Sequence, residues 1–264
     1  MPDLLPQPVD RPAEQQRLLA LLRCDAPDLR ASPATASPCE SDELGLYAAV
    51  REKAERHSGP SPVGSVHTIP GRRTIRHPTE WSDSVPVVCR GWATSSVALS
   101  DGRRQILSFL LPGDFACTAS LFEPISGRLI EAITEVTYCS FKRSELKALL
   151  FAYPDLLEIL TRTWIEERRQ TDQLAIDLGR RTAAERIARL LLSLMERLAK
   201  RGLVQDNTTE FPLRQHHIAD ATGLTPVHVS KVMSDLRRRG LIEISERTLT
   251  ILDLAGLRCA AILR

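Results

Sequence analysis

Residues 215–236 read Gln-His-His-Ile-Ala-Asp-Ala-Thr-Gly-Leu-Thr-Pro-Val-His-Val-Ser-Lys-Val-Met-Ser-Asp-Leu, and this stretch predicts two short helices joined by a tight turn. Ala219 is small enough to let the helices approach, Gly223 suits a left-handed turn, and Val229 can fill the core from the second helix. The spacing Ala-x3-Gly-x5-Val is typical of a helix-turn-helix. The alternative for these residues alone is an ordinary helical hairpin, which many enzymes contain.

The second helix, over residues 225–239, is expected to start at Thr225 as N-cap with Pro226 at its first position. The helical period places four apolar residues inward: Val229, Val232, Met233 and Leu236. An ammonium can reach guanine O6 and N7, a hydroxyl can reach either kind of base edge, and a valine can touch a thymine methyl group. The candidate DNA-binding residues are therefore Thr225, Pro226, Val227, His228, Ser230, Lys231 and Ser234.

The residues that follow this helix alternate in polarity, as expected of a β-hairpin. They run from Gly240 to Leu252, with a turn predicted over residues 245–248. A hairpin directly after the second helix forms a wing, which favours a winged helix-turn-helix over an enzyme hairpin. Arg247 at the tip is placed to bind backbone phosphate and completes the candidate DNA-binding set.

A long helix is predicted over residues 154–178, with Pro154 at its start and Gly179 just past its end. Another helix is predicted from Thr182 to Lys200. The long helix carries a seam of period 3.5, interrupted at Glu167 and Thr171, and this seam predicts a dimer interface, although it could also pack on the chain's own body. The candidate interface residues are Leu157, Leu160, Trp164, Thr171, Leu174 and Leu178.

Residues 61–150 have an all-β pattern, since turn signals recur every 8 to 12 residues between short β-branched runs. Strands are predicted at 84–88, 95–99 and 105–111, with Asp101-Gly102 as the turn of the clearest hairpin. Residues 1–60 are rich in Pro, Ser and Ala and predict a poorly ordered arm, with short helical pieces at 13–23 and 42–57.

Charge and composition agree with this division. The chain has 264 residues and a net charge of +2, but residues 180–264 alone hold 15 basic and 9 acidic groups. A basic C-terminal module on a neutral body is typical of nucleic-acid binding, although a run such as 237–239 can also be a solvated face. No apolar stretch is long enough to cross a bilayer and the N-terminus has no signal-peptide pattern, so a cytoplasmic protein with no membrane partner is expected.

The sequence resembles the Crp/Fnr family of bacterial transcription regulators over about residues 62–255. Three stretches carry the resemblance: 101–114, 181–188 and 224–231. It implies an α+β chain with an N-terminal jelly-roll-like β-roll sensor domain, a long dimerisation helix and a C-terminal winged helix-turn-helix that binds palindromic double-stranded DNA as a homodimer. The implied domains are 61–153, 154–179 and 180–264. An activator of this family would also contact RNA polymerase.

The family's effector-binding positions are changed in this chain. Arg128 matches the arginine that binds the cyclic nucleotide phosphate in family members, but Thr118 replaces the glutamate and Leu129 replaces the serine. Thr118 and Arg128 remain candidate pocket residues for an unknown small-molecule effector, and cyclic nucleotide is not expected. The alternative is a ligand-independent DNA-binding dimer whose β-roll is only a scaffold.

No metal cofactor is expected either. The family's iron-sulfur proteins use three closely spaced arm cysteines and one barrel cysteine. Here Cys139 matches the barrel position, but the arm offers only Cys24 and Cys39, 15 positions apart. His57, His67, His77 and Cys89 have no spacing that favours haem. A metal enzyme of the cupin type is disfavoured because the sequence has no His-x-His, so enzymatic activity is not expected.

Overall fold

The computed structural model describes residues 49, 50, 52, 53 and 65–262. Contacts divide the chain into Met1–Glu43 and Leu44–Arg264, and all described residues belong to the second unit. The predicted arm and its two helical pieces lie outside the described residues, apart from residues 49, 50, 52 and 53, which are helical.

The first part of the described chain is a β-roll of two antiparallel sheets. One sheet has the strand order β1-β7-β3 and the other the order β2-β6-β4-β5. The strands are β1 Val66–Ile69, β2 Thr74–Arg76, β3 Ser84–Arg90, β4 Ala93–Ala98, β5 Arg104–Leu110, β6 Leu129–Ala132 and β7 Val136–Lys142. The three strands predicted from sequence are present, with their ends shifted by one or two residues.

The β4–β5 hairpin turns where the sequence places Asp101-Gly102. Gly102 has a φ of 85°, and the Leu99 amide donates to the Arg103 carbonyl at 2.8 Å. A 3-10 turn, Thr118–Leu121, follows β5 and packs against the roll. Apolar side chains from both sheets, such as Val88, Ile130 and Val136, fill the interior.

Two helices continue the chain from the roll: α1, Arg143–Ala152, and the long α2, Pro154–Arg180. The expectation that Gly179 stops α2 is wrong, because the helix runs through Gly179 and ends at Arg180. Arg181 is the first extended residue, and its guanidinium pairs with Asp177 at 2.8 Å. The ion pair between Arg181 and Asp177 therefore lies at the C-terminal end of the helix, two residues beyond the glycine at which the sequence predicted the end.

The C-terminal module contains four helices and a small sheet. Helix α3, Ala183–Ala199, starts with a capping box between Thr182 and Glu185, as its predicted bounds require. It is followed by β8 Thr208–Glu210, α4 Gln215–Thr222, α5 Pro226–Arg238, β9 Ile242–Ser245, β10 Thr248–Ile251 and α6 Leu254–Ala260. The sheet has the order β8-β10-β9 and is antiparallel throughout.

The β-roll and the C-terminal module share one hydrophobic core. Ile106, Phe109 and Leu111 at β5 belong to the same buried cluster as the inner face of α3. Ion pairs reinforce this contact, since Asp114 after β5 binds both Arg197 at 2.6 Å and Arg201. The helix-turn-helix is therefore fixed to the roll by packing and charge.

Candidate nucleic-acid interface

The turn between α4 and α5 has the geometry that the sequence predicts. Gly223 adopts the left-handed conformation, with φ 65° and ψ 34°, and the Leu224 amide donates to the Ala219 carbonyl at 3.1 Å. A Cβ at Gly223 would also lie 3.0 Å from Leu178 Cδ2 at the end of α2. Glycine is thus required here for its conformation and for the close approach of the long helix.

Helix α5 begins where expected and separates a buried face from an exposed one. The Thr225 hydroxyl accepts a hydrogen bond from the His228 amide at 3.2 Å, and Pro226 occupies the first turn. Val229, Met233 and Leu236 are buried in the module, while Val232 is half-buried. The outward residues Thr225, Pro226, Val227, His228, Lys231 and Ser234 are exposed, and Ser230 is half-buried.

This arrangement leaves an apolar side chain in solvent at the start of α5. Val227 is 74% exposed although the helix has a full core beneath it. Its neighbours on that face are Lys231 and Ser234. A protruding helix face with a methyl-bearing, a hydroxyl and a cationic side chain matches the donor and acceptor pattern of the major groove.

Strands β9 and β10 form the predicted wing. Glu246 and Arg247 make the two-residue turn, with φ values of 47° and 62°, as a type I′ hairpin requires. The Arg247 carbonyl accepts from the Phe211 amide at 2.6 Å, so the wing tip is held against the chain before α4. The Arg247 side chain itself is exposed and lies at the tip.

The arginine run after α5 is partly occupied by an acidic neighbour. Arg238 binds Asp235, and Arg239 lies 3.7 Å from the same carboxylate. Both pairs are well exposed and contribute little to stability. This run is thus partly neutralised, whereas Lys231 has no ion-pair partner within 4 Å among the described residues.

The start of α4 also belongs to this surface, which was not predicted from the sequence. Arg214 and His216 are exposed there, directly before and within the first turn. The first helix of a helix-turn-helix crosses the DNA backbone, and its N-terminus carries unpaired amides that favour anions. The signal available in the sequence was the basic run Arg214-Gln215-His216-His217 at the start of the motif.

His217 is held neutral within this basic start. Burial is the main cause that lowers its pKa to about 4, with further lowering by the positive charges of His216, Arg104, Arg214 and Arg72. Its Nδ1 accepts a hydrogen bond from the Arg214 amide at 3.1 Å, which requires an unprotonated nitrogen.

We expect stability to fall at acid pH because of His217. An unfolded histidine titrates near 6.5, so protons bind the unfolded state preferentially between about pH 6.5 and 4. The stabilisation is complete above that window and is lost as the pH falls through it, by about 2 kcal/mol. Urea unfolding at a series of pH values should show this loss in the wild type and a flatter profile in His217→Gln. Identical profiles would contradict the assignment.

The candidate effector residues converge on the long helix. Thr118 is buried, and its hydroxyl donates to the Glu167 carboxylate of α2 at 2.5 Å. Burial raises the pKa of Glu167, while the hydrogen bond from Thr118 and the charge of nearby Arg128 oppose that rise. The structure therefore brings Thr118 and Arg128 together around a carboxylate that the sequence analysis treated only as an interruption of the seam.

The predicted seam on α2 divides between two faces. Leu160 is fully buried in the chain's own core, as is Leu156, so Leu160 is not accessible to a second chain. Leu174 and Leu178 are half-buried and line a cavity of about 670 Å³ between α2, α3 and β5. The exposed face holds Leu157, Trp164 and Thr171 from the predicted set, together with Ile165 and Ile176.

The cysteine and histidine candidates do not form a larger cluster in the described part of the chain. Cys89 and Cys139 are buried on neighbouring strands, with their sulfurs 3.1 Å apart. His67 stacks on Tyr138, with ring centroids 5.1 Å apart. Among the described residues, no group of three or more His, Cys, Asp or Glu side chains is arranged to hold a metal ion.

None of the helices that the structure describes is both long enough and apolar enough to cross a bilayer.

The fold and this surface define a winged helix-turn-helix DNA-binding protein with a β-roll at its N-terminal side. Family models agree with both parts: residues 66–153 match a cyclic nucleotide-binding domain, and residues 185–260 match a Crp-like helix-turn-helix domain. The chain belongs to the Crp/Fnr family of transcription regulators, as the sequence resemblance implied.

Individual relatives support this assignment. The chain is 37% identical to the nitrogen fixation regulation protein FixK of Bradyrhizobium diazoefficiens, over 62% of this chain and 68% of that protein. It is 28% identical to the transcriptional activator protein FnrL of Cereibacter sphaeroides, over 85% and 86% of the two chains. The structure of FixK2 from Bradyrhizobium japonicum aligns with a TM-score of 0.69 at 27% identity, covering 76% of this chain and 99% of that one. The chain is thus a DNA-binding transcription regulator.

Proposed function

We propose that the protein is a homodimer that binds a two-fold symmetric operator and activates transcription by contacting RNA polymerase. We also propose that it acts in the cytoplasm and has no enzymatic activity. The observation that carries the proposal is the exposed face of α5, where Val227, Lys231 and Ser234 protrude while Val229, Met233 and Leu236 anchor the opposite face in the core. Two such helices in a dimer enter successive major grooves about 34 Å apart. The activator role is proposed by similarity to relatives such as the transcriptional activator protein FnrL.

The dimer contact is proposed on the exposed face of α2. Leu157, Trp164, Ile165 and Ile176 are each between 38% and 49% exposed on one helix. A row of large apolar side chains in solvent is typical of a protein–protein interface. The helix runs from the β-roll to the helix-turn-helix, so pairing along it would set the spacing of the two recognition helices.

The contact between Thr118 and Glu167 favours the ligand-independent alternative. This hydrogen bond joins the loop after β5 to the long helix, and the positive charge of Arg128 is close enough to act on the same carboxylate. A side chain of the protein thus makes the connection between roll and helix that an effector would otherwise supply. We propose that DNA binding needs no added small molecule, and an effector of unknown identity remains the competing proposal.

The residues at this place do not fit a cyclic nucleotide. The phosphate of such a ligand is an anion, and Glu167 presents a carboxylate to the same loop. In addition, Thr118 lacks the carboxylate of the family's glutamate, and Leu129 lacks the hydroxyl of the family's serine. We propose that the protein does not use cyclic nucleotide. We also propose that it uses neither an iron-sulfur cluster nor haem, because its cysteines and histidines are not spaced as such cofactors require.

Selection of duplexes from a random pool by the purified protein, without added ligand, tests the proposed function. A two-fold symmetric consensus with steep salt dependence is the expected result. A consensus that emerges only when a cell extract fraction of small molecules is added would favour the effector-dependent form. An unordered set of weakly bound sequences would contradict the proposal.

Two variants in the same selection separate base contacts from phosphate contacts. Lys231→Ala should lose discrimination at one base pair of each half-site, at a cost of about 1–3 kcal/mol, because its ammonium reaches base edges. Arg247→Ala should weaken binding to all sequences similarly, because it lies at the wing tip beside the backbone. Equal losses on the consensus and on random duplex for both variants would refute these roles.

A further inference from the structure

Two buried cysteines face each other inside the β-roll. Cys89 lies one residue before the end of β3, and Cys139 lies in β7, the neighbouring strand of the same sheet. Cys89 and Cys139 are 5% and 1% exposed, and the Cys89 thiol donates to the Cys139 sulfur at 3.1 Å. A disulfide bond is about 2.05 Å long, so the two sulfurs need to approach by only about 1 Å to form one.

A β-bulge in β3 brings the two thiols together. Cys139 pairs in register with Val87, and the ladder then shifts, so that Arg90 pairs with Thr137 in the place where Cys89 would otherwise stand. Cys89 is the extra residue of this bulge, and a bulge changes the direction of a side chain. The Cys89 sulfur lies 3.7 Å from the carbonyl oxygen of Val87, so it leans back along β3 towards the position opposite Cys139.

The bulge lies beside the link between the β-roll and the C-terminal module. The amide of Val88, the residue before Cys89, donates to the Asp114 carbonyl at 3.0 Å. The Val88 carbonyl accepts a hydrogen bond from the Gly113 amide at 2.7 Å. The Asp114 carboxylate in turn binds Arg197 of α3. A backbone shift at Cys89 therefore acts, through Val88, on the segment that fixes the helix-turn-helix to the roll.

A hydroperoxide such as hydrogen peroxide is the oxidant that suits this pair. It is small and uncharged, and it meets Cys89 first, because Cys89 is the more exposed thiol and lies at a strand end, where local opening is easiest. The Cys89 thiolate attacks one peroxide oxygen and is oxidised to a sulfenic acid, while the O–O bond breaks and hydroxide leaves. The Cys139 thiolate then attacks the Cys89 sulfur and displaces a second hydroxide. Each hydroxide takes the proton that a thiol released, so two thiols and one peroxide give one disulfide and two water molecules.

We propose that Cys89 and Cys139 form a redox site that hydroperoxides convert to an intrachain disulfide, and that this disulfide weakens operator binding through residues 113–114. In the structure the two sulfurs are in contact but not bonded, and the ion pair between Asp114 and Arg197 is in place, so the dithiol form is the DNA-binding form. Disulfides in cytosolic proteins are usually transient and catalytic or redox-sensing. The inference rests on the proposed DNA-binding function and makes an oxidant, rather than a bound ligand, the signal that the β-roll receives.

Treatment of the full-length protein with hydrogen peroxide, followed by alkylation of the remaining thiols and peptide mass mapping, tests whether the disulfide forms. We expect a pair of peptides linked through Cys89 and Cys139, and we expect a dithiol reductant to separate them. Amide hydrogen exchange at Val88 and Gly113 should become faster on oxidation, because the hydrogen bonds of these amides join the bulge to the segment before α3. Peroxide treatment that leaves the two cysteines unlinked overturns the redox site, and unchanged exchange overturns the proposed route to the C-terminal module.

Operator affinity before and after peroxide treatment tests the consequence. Oxidation should lower the affinity of the wild type roughly tenfold or more, and a dithiol reductant should restore it. Cys89→Ala and Cys139→Ala should each bind like the reduced wild type and keep their affinity in peroxide, because a single thiol cannot close the pair. Two controls remove other cysteines: Cys117→Ala changes a buried one in the loop after β5, and Cys259→Ser changes an exposed one. Both controls should lose affinity in peroxide as the wild type does.

The outcomes distinguish this inference from the function on which it rests. A wild type that forms the disulfide yet keeps full operator affinity overturns the inference while the regulator stands. A Cys89→Ala variant that still loses affinity in peroxide does the same. Failure of the reduced wild type to bind any selected duplex overturns the proposed function, and with it the control of DNA binding by this pair. The mass readout uses the wild type alone, so a variant that fails to fold leaves that test intact.

Discussion

Replacing Leu157 and Trp164 together with aspartate is expected to lower operator affinity by about a thousandfold. Both side chains are partly exposed on α2, and the ring on which Trp164 packs, Phe122, is itself exposed, so the change spares the buried core while placing two charges in the proposed dimer contact. A monomer binds one half-site, and the loss of a tethered second half-site removes an avidity of about 10²–10⁴. Sedimentation should show a monomer, and binding to a single half-site should be nearly unchanged.

Arg162→Asp is the matched control for this experiment. Arg162 is exposed on the same helix and pairs with Glu158, but it lies about 140° around the helix from Leu157 and about 160° from Trp164. This variant should remain dimeric and bind the operator like the wild type. A dimeric Leu157→Asp/Trp164→Asp protein with full operator affinity would show that the protomers pair elsewhere.

Asp114→Ala is expected to destabilise the protein by about 3–5 kcal/mol, the largest loss of stability predicted for a single polar residue. The Asp114 carboxylate accepts hydrogen bonds from Arg197 of α3, from Arg201 in the turn after α3, and from the Leu111 amide at 2.8 Å. All three charged side chains are at most 20% exposed. Removing the acid leaves two largely buried guanidinium groups without this counter-charge.

Thermal unfolding checks this prediction against a surface ion pair. At about 2–4 °C per kcal/mol, Asp114→Ala should lower Tm by roughly 10 °C. Asp101→Ala removes a pair with Arg103 in which both side chains are about half or more exposed, and it should leave Tm nearly unchanged because water screens the pair. Similar Tm values for the two variants would show that Asp114 does not join the β-roll to the C-terminal module.

The helix-turn-helix was predictable because its rules are local. Gly223 must turn left-handed, Thr225 must cap, and Pro226 must begin a helix, and each requirement concerns neighbours within a few residues. The same holds for the Glu246-Arg247 turn, which two alternating strands enclose. Gly179 was misjudged because a glycine can also adopt helical dihedral angles, so its presence alone does not end a helix.

The long helix shows where periodicity stops being informative. Its apolar residues follow a helical repeat, but the repeat alone does not say which face packs inward. The structure places Leu156 and Leu160 in the chain's own core and leaves Leu157 and Trp164 outside. A shift of one residue turns a helical position by about 100°, so only the packing partner decides between core and interface.

The sequence by itself determined the family, the division into β-roll, long helix and winged module, and the recognition face of α5, because propensity, capping and spacing act over short distances. The tertiary structure decided what depends on residues far apart in the chain. Glu167 meets Thr118 across 49 positions, and Arg104 meets Asp220 across 116. Such contacts arise from how the sheets and helices pack in three dimensions, and the spacing of residues along one sequence does not predict that packing.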